Sequence, residues 1–208
     1  MRIVFSGDST FFGEGVDIAH TFVAKLAVQL RNRFGDIIVS NPSMIEHTTR
    51  SALERASLAI QKPEPGVVLL QYGANDCARL EGCKGLPQVS PAAFQANLHE
   101  MLDRAKRFGC KHGFLVTNHP TMRTDTIEGK AQEQGRRHYN KLMREVAAIR
   151  KGETTLLDME AVFDQFMVKG ASLVSLLLPD KINLSVEGHR IYFENTISTI
   201  SSVLTALK

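Results

Sequence analysis

The chain has 208 residues, of which 43% are hydrophobic and 23% charged, with a formal net charge of +3. That length and composition suit one folded domain over residues 1–208 with a full core, and they exclude a disordered or fibrous chain. The basic excess is too weak to imply nucleic acid: Arg104, Lys106, Arg107, Arg136, Arg137, Lys141 and Arg144 lie on predicted helices beside acidic neighbours and read as a solvated face. Cys77, Cys83 and Cys110 fit neither zinc nor thioredoxin spacing, so thiols in a reducing compartment are expected, with no metal and no cofactor. No stretch approaches the length of a membrane span, and the apolar residues at the start belong to a strand rather than a signal peptide, so the expected location is cytoplasmic.

Arg2 to Ser6 reads as a short buried strand that stops on Gly7-Asp8-Ser9-Thr10. A hydroxyl at a strand-to-helix turn, with backbone amides able to face a ligand, suits a serine nucleophile. Taken alone, the same three residues suit an ordinary N-capped turn better. A helix follows over Val16 to Phe34, with Ala19, Val23, Leu26, Leu30 and Phe34 on one stripe and Gly35 as its stop. Ile37 to Val39 is a second strand, and Thr48 to Ile60 a helix ended by Pro63 and Pro65.

Gly66 to Tyr72 is the clearest strand, a continuous apolar run of the kind buried on both faces of a parallel sheet. It delivers Gly73-Ala74-Asn75-Asp76. The loop from Cys77 to Val89 is longer than a typical strand-to-helix connection and reads either as a mobile element flanking a pocket, with Cys77 near its floor, or as a plain surface loop. Ser90-Pro91 opens the next helix, which stops at Gly109. Gly113 to Thr117 is a fourth strand ended by Asn118-His119-Pro120, Ala131 to Ile149 a helix, and Thr154 to Asp158 a fifth strand. The last helix starts near Ser185 and packs on the sheet through Phe193, Ile197, Ile200, Leu204 and Leu207.

Strands alternating with helices imply right-handed crossovers and a doubly wound parallel sheet, an α/β fold. Ligands of such sheets bind beyond the carboxyl ends of the strands, which places Ser9, Asn75 and His119 on one rim.

Gly7-Asp8-Ser9, Gly73-Ala74-Asn75-Asp76 and the block from Asp180 to His189, in this order and each in place, resemble the GDSL or SGNH hydrolases over nearly the whole chain. The resemblance implies a three-layer α/β/α sandwich with a five-stranded flavodoxin-like sheet, and acyl transfer through serine. Ser9 would be the nucleophile, the Ser9 amide and the Asn75 side chain the oxyanion donors, and Asp180 the residue that orients a catalytic histidine; Asp76 and His119 are candidate substrate contacts. The implied partner is a small ester or an acylated glycan.

Two positions depart from the family pattern. Asn183 stands where the resemblance expects the catalytic histidine, and an amide cannot accept the serine proton at useful pH. Glu46 aligns with the glycine whose amide completes the oxyanion hole, where a carboxylate is electrostatically wrong. Loss of the base costs on the order of a million-fold in turnover. Among substitutes, His119 on the rim is the first candidate for a relocated base or substrate contact, His47 the second, and His189 reads as structural. Two functions therefore stand side by side: an ester hydrolase with a departed active site and low activity, and a non-catalytic module that keeps an esterase pocket. The oligomeric state is not legible.

Overall fold

The computed structural model describes residues 1–127 and 129–208. In chain order the elements are β1 (Arg2–Gly7), α1 (Ser9–Phe12), α2 (Phe22–Phe34), β2 (Ile38–Ser40), α3 (Thr49–Glu54), β3 (Val67–Gln71), α4 (Pro91–Arg107), β4 (His112–Val116), the short antiparallel pair β5 (Thr126–Ile127) and β6 (Lys130–Ala131), α5 (Gln132–Ile149), β7 (Thr154–Leu157), α6 (Met159–Val168), α7 (Leu173–Leu176) and α8 (Val186–Ala206). β2, β1, β3, β4 and β7 form one parallel sheet in that order. The chain thus has the α/β architecture expected from its alternating strands and helices.

The two-residue strand period divides the core between the two faces. Ile3, Phe5, Val67, Leu69, Phe114, Val116 and Leu157 face a cluster completed by α2, α6, α7 and α8. Val4, Val68, Leu70 and Leu115 face the other, completed by α3, α4 and α5. Every residue of β3 is buried, which is why the strand reads as an unbroken apolar run.

Some boundaries differ from expectation. The helix expected from Val16 begins only at Phe22, because Asp17 caps a separate three-residue turn and the Thr21 side chain then caps α2 through the Ala24 amide. Ala19 is exposed rather than on the buried stripe. The helix expected over Thr48 to Ile60 breaks after Glu54 and resumes as a single wide turn over Ser57–Gln61. Arg136 departs from the solvated-face reading: it is 3% exposed and pairs with Glu133 at 2.5 Å and Glu160 at 2.9 Å. Amphipathic spacing marks a charged face as polar without showing that a second polar layer covers it.

No helix among the described residues is long and apolar enough to cross a membrane.

Candidate active site

β1 ends at Gly7, paired in register with Gln71 of β3, so the two motif-bearing turns leave the sheet side by side. Asp8 is the N-cap of α1, its Oδ1 accepting from the Thr10 amide at 3.1 Å. Ser9 is the first helical residue, half-buried, and its carbonyl accepts from the Gly13 amide at 2.8 Å and the Glu14 amide at 3.1 Å. Gly13 takes the left-handed conformation that closes this short helix, at φ 85°. Gly15, at φ 77°, lies so near Leu178 that a Cβ there would come within 2.4 Å of its Cδ1. That approach brings the 13–15 turn against the segment carrying Asp180 and Asn183.

Asp180 and Asn183 meet directly. Asp180 Oδ1 accepts from the amides of Ile182 at 2.8 Å and Asn183 at 2.9 Å, and Oδ2 accepts from Asn183 Nδ2 at 2.8 Å. Partial burial raises the Asp180 carboxyl pKa, but these three donors outweigh it and hold the group below its ordinary value. Asn183 Nδ2 also donates to Glu14 Oε2 at 3.3 Å. Glu14 was not among the residues expected here: it carries no periodicity signal, and only the folding of the 13–15 turn onto Leu178 brings it in.

On the other side of the Ser9 turn, Asn41 Nδ2 donates to the Phe11 carbonyl at 2.7 Å, and the Met44 amide to the Gly7 carbonyl at 3.2 Å. Asn75 follows β3 and donates its Nδ2 to the His47 carbonyl at 3.1 Å. Glu46, exposed, adopts φ 62°. A glycine takes this left-handed conformation freely and a glutamate at a cost. The turn that carries Ser9 is thus tied to the 41–44 segment through Gly7 and Phe11 and to the 178–183 segment through Glu14 and Gly15.

Asp76 and His119 lie elsewhere than a substrate contact requires. Asp76 is fully buried, accepting from the Gly73 amide at 3.1 Å, the Thr49 amide at 2.9 Å and the Thr49 hydroxyl. Burial pushes its carboxyl up to about 6 despite those donors. It anchors α3 to the turn after β3. His119 is 4% exposed and both ring nitrogens are engaged, Nε2 with the Ile182 carbonyl at 2.9 Å and Nδ1 with the Tyr192 hydroxyl at 3.0 Å. A carbonyl can only accept, so Nε2 carries the proton and Nδ1 accepts from the phenol. Burial pushes the imidazole down to about 4, keeping it neutral. His119 is thus a strut under the Asp180–Asn183 segment and not a base for Ser9. His189 is equally buried, stacked on Phe22, its Nδ1 accepting the Phe22 amide at 3.4 Å.

Asp8 is 1% exposed and its Oδ2 has no hydrogen-bond partner among the described residues. Burial pushes its carboxyl up to about 7, against the pull of the Thr10 amide and with a contribution from the Asp76 charge.

The loop after Asp76 is tied at its base. Arg79 pairs with Pro87, its Nε donates to the Gly85 carbonyl at 2.9 Å, and Gln132 exchanges two hydrogen bonds with the Arg79 backbone. Cys77 is 3% exposed and its Sγ contacts the Ala74 carbonyl, while burial pushes its thiol up to about 12, so it is not a reactive thiolate. The tip, with Leu80 and Leu86, stands exposed, as does Gln88.

Comparison with known proteins sets these features in context. The sequence profile of the GDSL-like lipase/acylhydrolase family matches residues 5–191. Esterase TesA of Pseudomonas aeruginosa is 30% identical over 105 residues, a match that covers 50% of this chain and 48% of that protein; the chain thus matches about half the length of this curated relative. Among solved structures, Axe2, an acetylxylan esterase from Geobacillus stearothermophilus, superposes with a TM-score of 0.76 at 19% identity over 95% of this chain and 92% of its own. LAE5, an α/β hydrolase from the metagenome of Lake Arreo in Spain, gives 0.76 at 23% identity over 95% and 93%. A structure of TesA gives 0.73 at 22% identity over the whole of both chains. At these identities the structural likenesses establish the fold.

Proposed function

The chain belongs to the GDSL-like lipase/acylhydrolase family, and from that premise we propose that it is a serine ester hydrolase of one domain whose active site has departed from the family pattern and turns over slowly. Ser9 is the nucleophile. The Ser9 amide and the Asn75 side chain are the oxyanion donors, with the Glu46 position as the altered third member. The observation that carries this reading is the Asp180–Asn183 hydrogen bond at 2.8 Å. It supports an orienting carboxylate that is retained but grips an amide in place of an imidazole.

The expected chemistry is attack of Ser9 Oγ on an ester carbonyl, collapse of the tetrahedral oxyanion with loss of the alcohol, and hydrolysis of the acyl-enzyme by water. Phe12, Met44 and Ile45 are 49%, 41% and 40% exposed on segments tied to the Ser9 turn, which supports a short acyl chain or an acetylated sugar as substrate. A non-catalytic module that binds such an ester is the second reading, favoured specifically by the Asn183 amide.

The deciding experiment is hydrolysis of p-nitrophenyl acetate by the parent and by Ser9→Ala. A slow rate lost in Ser9→Ala supports the hydrolase. Identical rates in the two, with an acylated ligand still bound, favour the binding module.

A further inference from the structure

We propose that the Glu14 carboxylate is the proton acceptor for Ser9 in this chain. The proposal rests on the reading of Ser9 as nucleophile and adds the group that reading lacks. Glu14 lies just past the left-handed Gly13 that closes α1, its amide bonded to the Ser9 carbonyl at 3.1 Å, and its half-buried side chain reaches Asn183 Nδ2 at 3.3 Å. The same nitrogen donates to Asp180 Oδ2 at 2.8 Å.

A primary amide has two hydrogens on one nitrogen, and an ionised carboxylate can only accept. The neighbours therefore fix the orientation of Asn183: one N–H goes to Asp180, the other to Glu14. Asp180 holds the amide, and the amide holds Glu14. This is the logic of a triad in which the third group orients the second and the second serves the nucleophile, with a carboxylate as the terminal base. The buried histidines do not compete, since both His119 nitrogens are engaged and His189 accepts a backbone amide. His47 is a further imidazole to be tested, on the segment whose carbonyl Asn75 binds.

In the proposed step the Ser9 Oγ–H proton passes to a Glu14 oxygen as the Oγ lone pair forms a bond to the ester carbonyl carbon. The carbonyl π pair becomes the oxyanion. On collapse the bond to the alkoxy oxygen breaks, and the Glu14 proton passes to that oxygen, releasing the alcohol. A water then gives its proton to Glu14 as it attacks the acyl-enzyme, and Glu14 returns that proton to Ser9 Oγ as the acid leaves.

The test follows Ser9 modification by diisopropyl fluorophosphate, read by intact mass, from pH 4.5 to 8, in the parent, Ser9→Ala, Glu14→Gln and His47→Gln. The expected result is a Ser9-specific rate in the parent that is absent from Ser9→Ala. It falls at least about 100-fold in Glu14→Gln and holds within about threefold in His47→Gln. A Ser9-specific rate unchanged in Glu14→Gln overturns the role of Glu14 and leaves Ser9 as nucleophile. A Ser9-specific rate lost in His47→Gln and kept in Glu14→Gln also overturns it, in favour of His47. No modification of Ser9 at any pH overturns this proposal and the hydrolase reading together. Glu14→Asp, which keeps a carboxylate, should retain more of the rate than Glu14→Gln, and an equal loss in the two also overturns the proposal.

Discussion

The side-chain amide of Asn75 is bonded to the carbonyl of His47 at 3.1 Å, next to a glutamate held at φ 62°. The donor proposed for the oxyanion is thus engaged with the segment that carries Glu46, and Glu46 adopts a backbone conformation natural to glycine. Glu46→Gly relieves a left-handed cost of about 1–2 kcal/mol and adds a backbone-entropy penalty of about 0.4–1 kcal/mol. The expected net effect is stabilisation of up to about 1.6 kcal/mol, measured by urea unfolding. A loss of stability would show that the glutamate side chain has a compensating contact.

Asn183→His should raise the Ser9-dependent rate of p-nitrophenyl acetate hydrolysis by about 100-fold or more, because it places an imidazole beside Asp180. Glu46→Gly added to it should raise the rate further, since base and oxyanion donor support one transition state. Ser9→Ala in that background should abolish the gain. A silent double variant with Ser9 accessible would mean that the pocket has diverged beyond these groups.

His119→Ala removes the partner of two buried groups, the Ile182 carbonyl and the Tyr192 hydroxyl. Leaving a buried polar group unpaired costs about 1–3 kcal/mol, so a destabilisation of a few kcal/mol is expected, read by thermal unfolding. Hydrogen exchange should quicken over residues 178–185 specifically. His119→Ala that leaves both stability and exchange unchanged would contradict the strut.

Stability against pH carries two opposing contributions. His119 and His189, each pushed down to about 4 by burial, bind fewer protons folded than unfolded, so they make stability rise from about pH 4 to 6.5. Asp8 and Asp76, pushed up to about 7 and about 6, bind more protons folded than unfolded, so they make it fall from about pH 4 to their folded values. Asp8→Asn keeps a capping oxygen for Thr10 and removes one falling limb. Its melting temperature should therefore climb more steeply from pH 4 to 6.5 than the parent's, and should exceed the parent's by most at neutral pH. Parallel curves would contradict the burial argument.

The sequence by itself determined the layout of the sheet and the address of the motifs. Burial of β3 on both faces demands a continuous apolar run, and the two-residue strand period and helix caps at Ser90 and Ser185 are written in local residue types. The Asp180–Asn183 pair was also legible, because three residues of spacing in one turn bring these side chains together. What a residue faces from a distant part of the chain was not. His119 and Asp76 lie just past strand ends, where side chains commonly meet ligands, yet tertiary packing closes α8 and the 178–185 segment over the first and α3 over the second. Arg136 shares the spacing of a solvated face and is buried by Glu160, 24 positions later in the chain. Glu14 enters the site only because Gly15 lets its turn approach Leu178, and no local pattern encodes a contact across 169 positions. Hydrophobic period is a property of neighbours along the chain, whereas the partner of a polar side chain is set by which segments the completed core brings together.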